Sequence, residues 1–151
     1  MKILLPVDGS PASLAAVLHA MRWVRGGLQA SFVLANVQEP PTLYDVVVAH
    51  DPAVIDAVRA AVGADQLAAA EALLDGANLH YESEVAGGDP GHMLVDLIEN
   101  YQCQAVVMGA VGAGGGRSAL GRVALAVLHH SPVPVTIVRP PAPKEEGGLG
   151  G

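Results

Sequence analysis

The 151-residue chain is poor in cysteine and in aromatic residues. Cys103 is its only cysteine, so no disulfide can form within the chain, which fits a reducing compartment. Aromatic residues make up 3% of the sequence and hydrophobic residues 51%. The core must therefore be aliphatic, as is typical of a parallel sheet covered by helices on both faces.

Positive charge and long hydrophobic runs are also scarce. The chain has 8 Lys and Arg against 15 Asp and Glu, a formal net charge of −7. Because no Lys/Arg cluster is present, we expect no binding to nucleic acid or to an anionic membrane surface. No apolar run approaches the roughly 18 residues of a membrane span. The first apolar run is interrupted by Pro6 and Asp8, unlike a signal peptide. We therefore expect a soluble cytoplasmic protein.

Apolar runs and helical patterns alternate along the chain. A Ser or Asp followed by proline, as in Ser10-Pro11, indicates a helix start at three places. Such alternation predicts an α/β fold with an open parallel sheet, doubly wound, with helices on both faces. The predicted strands are Ile3–Val7, Ser31–Val37, Leu79–Val85, Ala105–Met108 and Pro134–Val138. The predicted helices start at Pro11, Pro52 and Pro90 and, after a glycine-rich loop, near Val123.

Four further features complete the predicted organisation. Tyr44–His50 is either a short strand or an irregular lid, because its valines look too apolar for solvent. Gly63 marks a bend or a frayed part of the long helix. Residues 1–139 form a single predicted domain, and residues 140–151 a disordered tail rich in Pro and Gly. In the long helix the candidates for burial are Val54, Val58, Leu67, Ala70 and Leu74.

Glycines crowd the stretch that follows the fourth strand, where six lie between residues 109 and 121. Such a loop lets backbone N–H groups approach a phosphate, but it can equally be a plain connection to the next helix. In open α/β sheets a ligand binds at the carboxyl ends of the strands, where the strand order reverses. An order of 3-2-1-4-5 would place Asp8 opposite this loop. Asp8 can alternatively be a turn or capping residue beside Ser10.

The sequence does not support a Walker A or dinucleotide-binding motif, a serine hydrolase or a metal site. The loop lacks the lysine of a Walker A motif, and G-x-G-x-x-G does not occur in it. Ser10 is not in a G-x-S-x-G turn and has no paired base. The six histidines are scattered, and His129 and His130 point about 100° apart on a helix. We therefore predict no catalytic residue and no metal ligand, with Cys103 a bystander.

Four motifs in order carry a resemblance that covers nearly the whole chain. They are ILLPVDGS at the N-terminus, NVQEP after the second strand, GGDPGHML before the third helix, and VVMGAVG leading to VPVTIV. Together they resemble the universal stress protein family. The resemblance implies a doubly wound five-stranded domain that usually dimerises and that in many members binds ATP or a related adenine nucleotide.

The family pattern implies a cofactor-binding set at the switch point. Asp8 matches the acidic residue that contacts the nucleoside, and Val37 the residue beside the base. Gly109 and Gly112 match backbone contacts. The complete predicted set is Pro6, Val7, Asp8, Val37, Met108, Gly109, Gly112, Gly121, Arg122 and Val123.

The chain departs from the binding pattern at two points of the phosphate end. The family has nine residues between its second and third glycines, followed by Ser or Thr. Here eight residues separate Gly112 from Gly121, and Arg122 stands where the hydroxyl is expected. An arginine can pair with phosphate bidentately, or it can fill the site or point to solvent.

The resulting hypothesis is a cytoplasmic stress-response regulator that binds ATP or another adenine nucleotide, with or without Mg²⁺. Any ATP hydrolysis would be slow, because no general base lies near the loop. The alternatives are a dimeric scaffold that binds no nucleotide and an enzyme that acts on an adenylate. The last strand is apolar and at an edge, so a homodimer through Val133–Val138 is expected, with a further protein partner that is not identified.

Overall fold

The computed structural model describes residues 1–111 and 120–140. Within them strands and helices alternate, apart from one additional short helix after the second strand. The strands are β1 (Lys2–Pro6), β2 (Ser31–Gln38), β3 (Tyr81–Gly87), β4 (Ala105–Gly109) and β5 (Val135–Val138). The helices are α1 (Pro11–Arg25), α2 (Leu43–Ala49), α3 (Pro52–Gly76), α4 (Pro90–Asn100) and α5 (Arg122–His130).

The five strands form one parallel sheet with the order β3-β2-β1-β4-β5, as predicted. β1 pairs with β2 from Lys2↔Ser31 to Pro6↔Ala35 and with β4 at Ile3↔Ala105 and Leu4↔Val106. β3 and β5 are the two edges of the sheet, and Pro134 directly precedes β5, where its carbonyl accepts from Val106 N at 2.9 Å. The strand order therefore reverses between β1 and β4.

The three predicted cap-and-proline starts all begin helices. The N-cap of α1 is Ser10, whose Oγ accepts from Ser13 N at 3.2 Å. Asp51 caps α3 and Asp89 caps α4 in the same way, with Pro52 and Pro90 in the first turn. Each cap satisfies a backbone N–H that has no partner inside its helix.

Two aliphatic clusters lie on the two faces of the sheet. One packs α1 and α3 against side chains that include Ile3, Leu5 and Phe32. The other packs α4 and α5 against side chains that include Leu4 and Val33. Alternate residues of each central strand thus pack on opposite faces of the sheet. Because both faces are covered, the sequence of such a strand is a continuous apolar run.

The segment between β2 and α3 differs from its prediction. Tyr44–His50 is neither a strand nor an irregular lid, because Leu43–Ala49 forms helix α2. A reciprocal cap begins it: Asp45 N donates to Thr42 Oγ1 at 3.2 Å, and Thr42 N donates to Asp45 Oδ2 at 2.9 Å. The valines expected to avoid solvent are 46–58% exposed.

The long helix α3 is buried only in its second half. Leu67, Ala70 and Leu74 are buried as predicted, whereas Val54 and Val58 are 49% and 56% exposed, so their predicted burial is wrong. None of residues 37–62, all of them described by the structure, is buried.

Gly63 lies within the continuous helix α3, where a bend or a frayed region was predicted, and it is buried. A Cβ there would lie 2.5 Å from Val85 Cγ1 and 2.8 Å from Asn36 Oδ1. The glycine is therefore needed so that α3 can lie close to β2 and β3.

Some predictions fall outside the described residues. Gly112, Gly114, Gly115 and Gly116 lie there, as do residues 141–151 of the tail. Across residues 1–111 and 120–140, none of the helices is long and apolar enough to cross a membrane.

Candidate functional site

An open cleft of about 910 Å³ lies at the carboxyl ends of β1 and β4, where the strand order reverses. Its volume is in the range of about 300–1,000 Å³ that is typical of small-molecule sites. Every described member of the predicted set lines it, and Gly112 lies outside the described residues. The lining members are Pro6, Val7, Asp8, Val37, Met108, Gly109, Gly121, Arg122 and Val123.

Asp8 lies at the mouth of the cleft and also shapes the turn into α1. Its Oδ1 accepts from Ser10 N at 2.9 Å, as in the capping alternative considered from the sequence. Gly9 has a φ of +82°, a conformation that side chains other than glycine rarely adopt. The two readings of Asp8 are thus compatible, because the turn holds its carboxylate at the edge of the cleft.

Gly109 ends β4 at the floor of the cleft. A Cβ at this position would lie 2.9 Å from the backbone carbonyl of Ala12. The close approach of α1 to β4 therefore requires this glycine for packing alone. Its presence in the sequence is accordingly weaker support for a ligand contact than the motif suggests.

A network of side-chain amides forms one side of the cleft and joins β2 to α3. Asn36, 1% exposed, donates from Nδ2 to Val7 O at 2.9 Å and to Gln66 Oε1 at 2.8 Å. Gln38 Nε2 donates to Asn36 Oδ1 at 2.6 Å and to Gln66 Oε1 at 3.0 Å. The network holds the carbonyl of Val7 directly before Asp8.

Sequence reasoning missed this network, although a signal exists in β2. A polar Asn36 interrupts the apolar run SFVLANV, and a buried polar side chain needs partners. Gln66 carried no comparable signal, because only the fold brings α3 beside β2.

The same side of the cleft continues into Thr42, Asp45 and Arg59. The hydrogen bonds from Thr42, first from its backbone and then from its side chain, lower the pKa of Asp45, and the charge of Arg59 adds to this. The Thr42-x-x-Asp45 spacing is that of a capping box, and this local signal could have identified the start of α2.

The opposite side is built by the first turns of α4 and α5, which contribute Asp89, Gly91 and Arg122. A Cβ on Gly91 would lie 2.7 Å from Ala126 Cβ, so the two helices are in close contact here. Gly121 is the N-cap of α5 and supplies no side-chain hydrogen bond to the first turn. A helix start of this kind favours an anion at its N-terminus.

Asp89 brings a negative charge to this side of the cleft. Its carboxylate accepts from His92 N at 3.1 Å and lies 2.9 Å from His92 Nδ1. These contacts lower the pKa of Asp89, the side-chain contact with His92 most strongly, and the nearby charge of Arg122 contributes a little. Arg122 is exposed at the start of α5 and near a carboxylate.

Cys103 and the histidines lie away from the cleft lining. Cys103 is buried, and burial raises the pKa of its thiol. The His130 ring lies 6.3 Å from that of His92 and 5.7 Å from that of His129, between centroids. In the part of the chain that the structure describes, no group of three or more His, Cys, Asp or Glu could hold a metal ion.

Comparison with known proteins decides the family. The model of the universal stress protein family matches residues 1–139. The chain belongs to this family. A universal stress protein of Methanocaldococcus jannaschii is 26% identical over 141 residues, which cover 93% of this chain and 82% of that protein.

Solved structures of the family share the fold. A universal stress protein in complex with cAMP superposes with a TM-score of 0.68 at 24% identity, covering 93% of this chain and 98% of the other. A family member from Arabidopsis thaliana with AMP bound superposes with a TM-score of 0.69 at 16% identity, covering 96% and 97%. The TM-scores of these superpositions show that the chains share one fold.

Proposed function

We propose that the protein binds an adenine nucleotide in the cleft between β1 and β4 and acts as a cytoplasmic stress-response regulator rather than as an efficient enzyme. ATP is the nucleotide we favour, with Mg²⁺ as an optional companion ion. The observation that carries the proposal is the convergence of nine predicted residues from four separate segments of the chain on one cleft at the switch point.

The family supplies the ligand class. Two members with the same fold have been solved with cAMP and with AMP, which share adenine, ribose and one phosphate. The cleft offers each part a suitable environment: the end of β2 at Val37 for the base, the Asp8 carboxylate for the ribose hydroxyls, and the start of α5 for phosphate.

Arg122 is the residue on which the phosphate end depends. It takes the place of the family's hydroxyl, and a guanidinium can hold phosphate through two parallel hydrogen bonds. Asp89 opposes this, because its carboxylate lies on the same side of the cleft. A phosphate bound by Arg122 would therefore lie near a carboxylate whose negative charge repels it.

The first test is the nucleotide content of freshly purified protein, measured by mass spectrometry after denaturation. Calorimetric titration of the stripped protein with ATP, AMP and adenosine follows. Bound adenine nucleotide, or a micromolar affinity for ATP, supports the proposal. No nucleotide and no heat at millimolar ATP contradict it and favour the alternative of a scaffold that binds no nucleotide.

Two variants locate the site. Asp8→Ala should weaken ATP and adenosine binding alike, by about tenfold to a hundredfold, since hydrogen bonds to a charged group contribute about 1.5–3 kcal/mol. Arg122→Ala should weaken ATP by a similar factor and leave adenosine unchanged. The matched controls, Asp96→Ala and Arg25→Ala, change exposed residues outside the cleft lining and should bind as the wild type does.

We also propose that two copies pair along residues 133–138, which comprise the edge strand β5 and the two residues before it and have an apolar sequence. An edge strand presents backbone groups that a second strand can pair. Sedimentation at micromolar concentration should give at least a dimer, and a monomer would contradict this pairing. The further protein partner that reads the nucleotide state remains part of the hypothesis.

A further inference from the structure

The amide network at the end of β2 has one orientation that hydrogen-bond chemistry allows. Asn36 is buried, and one polar atom of its side chain lies 2.9 Å from the carbonyl oxygen of Val7. A carbonyl oxygen only accepts, so this atom must be the donating Nδ2, and the other atom must be the accepting Oδ1. The contact with Val7 therefore decides which way round the Asn36 amide stands.

The orientation of Asn36 decides that of the other two amides. Gln38 approaches Asn36 Oδ1 at 2.6 Å, and only its Nε2 can donate to that oxygen. Gln66 lies 2.8 Å from Asn36 Nδ2 and 3.0 Å from Gln38 Nε2, and only its Oε1 can accept from both. Both N–H groups of Gln38 are thus used, and turning its amide over would place its oxygen against two other oxygens.

The network leaves the Oε1 of Gln38 as an unused acceptor. In the part of the chain that the structure describes, no hydrogen bond reaches this atom, and every buried side-chain nitrogen or oxygen has a partner, so the oxygen is accessible. Gln38 lines the cleft directly after Val37. Gln66 keeps a donating Nε2, but it lies on the Asp8 side, where both residues also line a pocket of about 460 Å³.

The two sides of the cleft suit different parts of a nucleotide. The start of α5 and Arg122 favour phosphate on one side. At the end of β2 the lining is apolar at Val37 and Pro40, next to Gln38, as is typical of a site for a flat heterocycle. The base of a bound nucleotide is therefore expected beside Gln38.

We propose that Gln38 Oε1 selects adenine against purines that carry a carbonyl at C6, an inference that rests on the proposed function. The C6 amino group of adenine donates, whereas the C6 oxygen of guanine or hypoxanthine accepts. Because the network keeps Nε2 turned away from the ligand, a 6-keto purine meets an acceptor with an acceptor. Gln38 is thus a residue that determines base specificity, and Asn36 and Gln66 hold it in position.

Calorimetric titration with ATP and ITP tests the selection, because both have the same ribose and triphosphate and differ at the C6 edge of the base. The wild type should bind ATP at least about tenfold more tightly, since ITP loses one hydrogen bond and opposes two acceptors. Gln38→Met removes the acceptor at similar side-chain length and should bring the two affinities within about threefold. The matched control, Gln29→Met, changes an exposed residue outside the cleft lining and should keep the wild-type ratio.

Gln38→Glu separates a direct contact with the base from a role in holding the network. A carboxylate keeps an accepting oxygen but lacks both N–H groups that Asn36 and Gln66 accept. Urea denaturation should show a similar loss of stability in the Glu and Met variants. The added charge should weaken both nucleotides, yet the Glu variant should still bind ATP about tenfold more tightly than ITP.

The outcomes distinguish this selection from nucleotide binding itself. A wild-type ratio near one, or a ratio that Gln38→Met leaves unchanged, overturns the selection while the proposed function stands. Equal loss of the ratio in the Glu and Met variants also rejects the direct contact and leaves Gln38 a structural role. No heat with either nucleotide at millimolar concentration rejects both the proposed function and the selection.

Discussion

The two halves of α3 have similar compositions and opposite environments. In Pro52–Val62 nothing is buried, although this described half carries three valines on one row; in Gly63–Gly76, Leu67 and Leu74 are at most 2% exposed. The two halves differ in burial because α3 is longer than the strands it packs against. At about 1.5 Å per residue the helix is roughly 37 Å long, while β2 at about 3.3 Å per residue is roughly 26 Å long. The helix extends past the sheet, so its position along the sheet decides its burial.

The largest effect should come from a leucine in the buried half. Leu74→Ala should lower the free energy of unfolding by about 2–5 kcal/mol, because it leaves a cavity in the core cluster that also contains Phe32 and Leu34. Val58→Ala in the exposed half should change it by less than about 0.5 kcal/mol when measured on dilute protein. Urea denaturation followed by circular dichroism compares the two. Similar losses would mean that the two halves do not differ as described.

The next largest effect on the free energy of unfolding should come from Gly63, where the two halves of α3 meet. Gly63→Ala should cost about 1–3 kcal/mol, since Val85 is β-branched and stiff and Asn36 is held by hydrogen bonds, so neither yields easily to the added Cβ. Gly76→Ala is the matched control, because a Cβ at the end of α3 meets nothing within 4 Å. The control should be neutral or slightly stabilising. A Gly63→Ala protein as stable as the control would contradict close packing at this point.

Helix caps provide a smaller test of the same comparison. Ser10 is buried and caps α1 in the core, so Ser10→Ala should cost about 1 kcal/mol of global stability. Thr42→Ala removes the cap of the exposed helix α2 and should increase amide exchange only within Leu43–Ala49. Hydrogen exchange with mass spectrometry separates the local result from the global one. A loss of global stability in Thr42→Ala would show that α2 is coupled to the core.

The smallest effect is the response to acid. Hydrogen bonds lower the pKa values of both Asp45 and Asp89: those with Thr42 at Asp45, and chiefly the side-chain contact with His92 at Asp89. The stability that these carboxylates contribute is therefore present above about pH 3.8. It is lost as the pH falls through the lower pKa values of the folded state. Carboxyl chemical shifts in NMR titrations should show both depressions. Thr42→Ala should raise the pKa of Asp45 and leave that of Asp89 unchanged, and equal shifts at both would contradict local causes.

Much of the fold could be predicted because its signals are local. The cap-and-proline pairs at Ser10, Asp51 and Asp89 depend on adjacent residues, and all three begin helices. The exposure of Val54 and Val58 could not be predicted, since it depends on where β2 and β3 end. The need for Gly63 likewise arises from residues that the fold brings beside it.

The residues of the candidate site likewise fall into those that local motifs could predict and those that only the fold brings together. Asp8, Val37 and Gly109 lie in motifs at strand ends, and the fold brings strand ends together, so their position at the cleft followed from the topology. Arg59 and Gln66 lie on α3 without a motif, and only the placement of the helix brings them to the lining. The binding roles themselves stay predictions until a nucleotide is measured.

Because α3 is one continuous helix, its exposed outer half is rigidly joined to its buried inner half. The helix runs unbroken from Pro52 to Gly76, with its inner half fixed in the core and its outer half free of the sheet. Gly63 lies where the two halves meet. Gln66, about one turn further on, accepts a hydrogen bond from Asn36, which also donates to the carbonyl of Val7, directly before Asp8. A small tilt imposed on the outer half would therefore move Gln66 and the side of the cleft that its amide network forms.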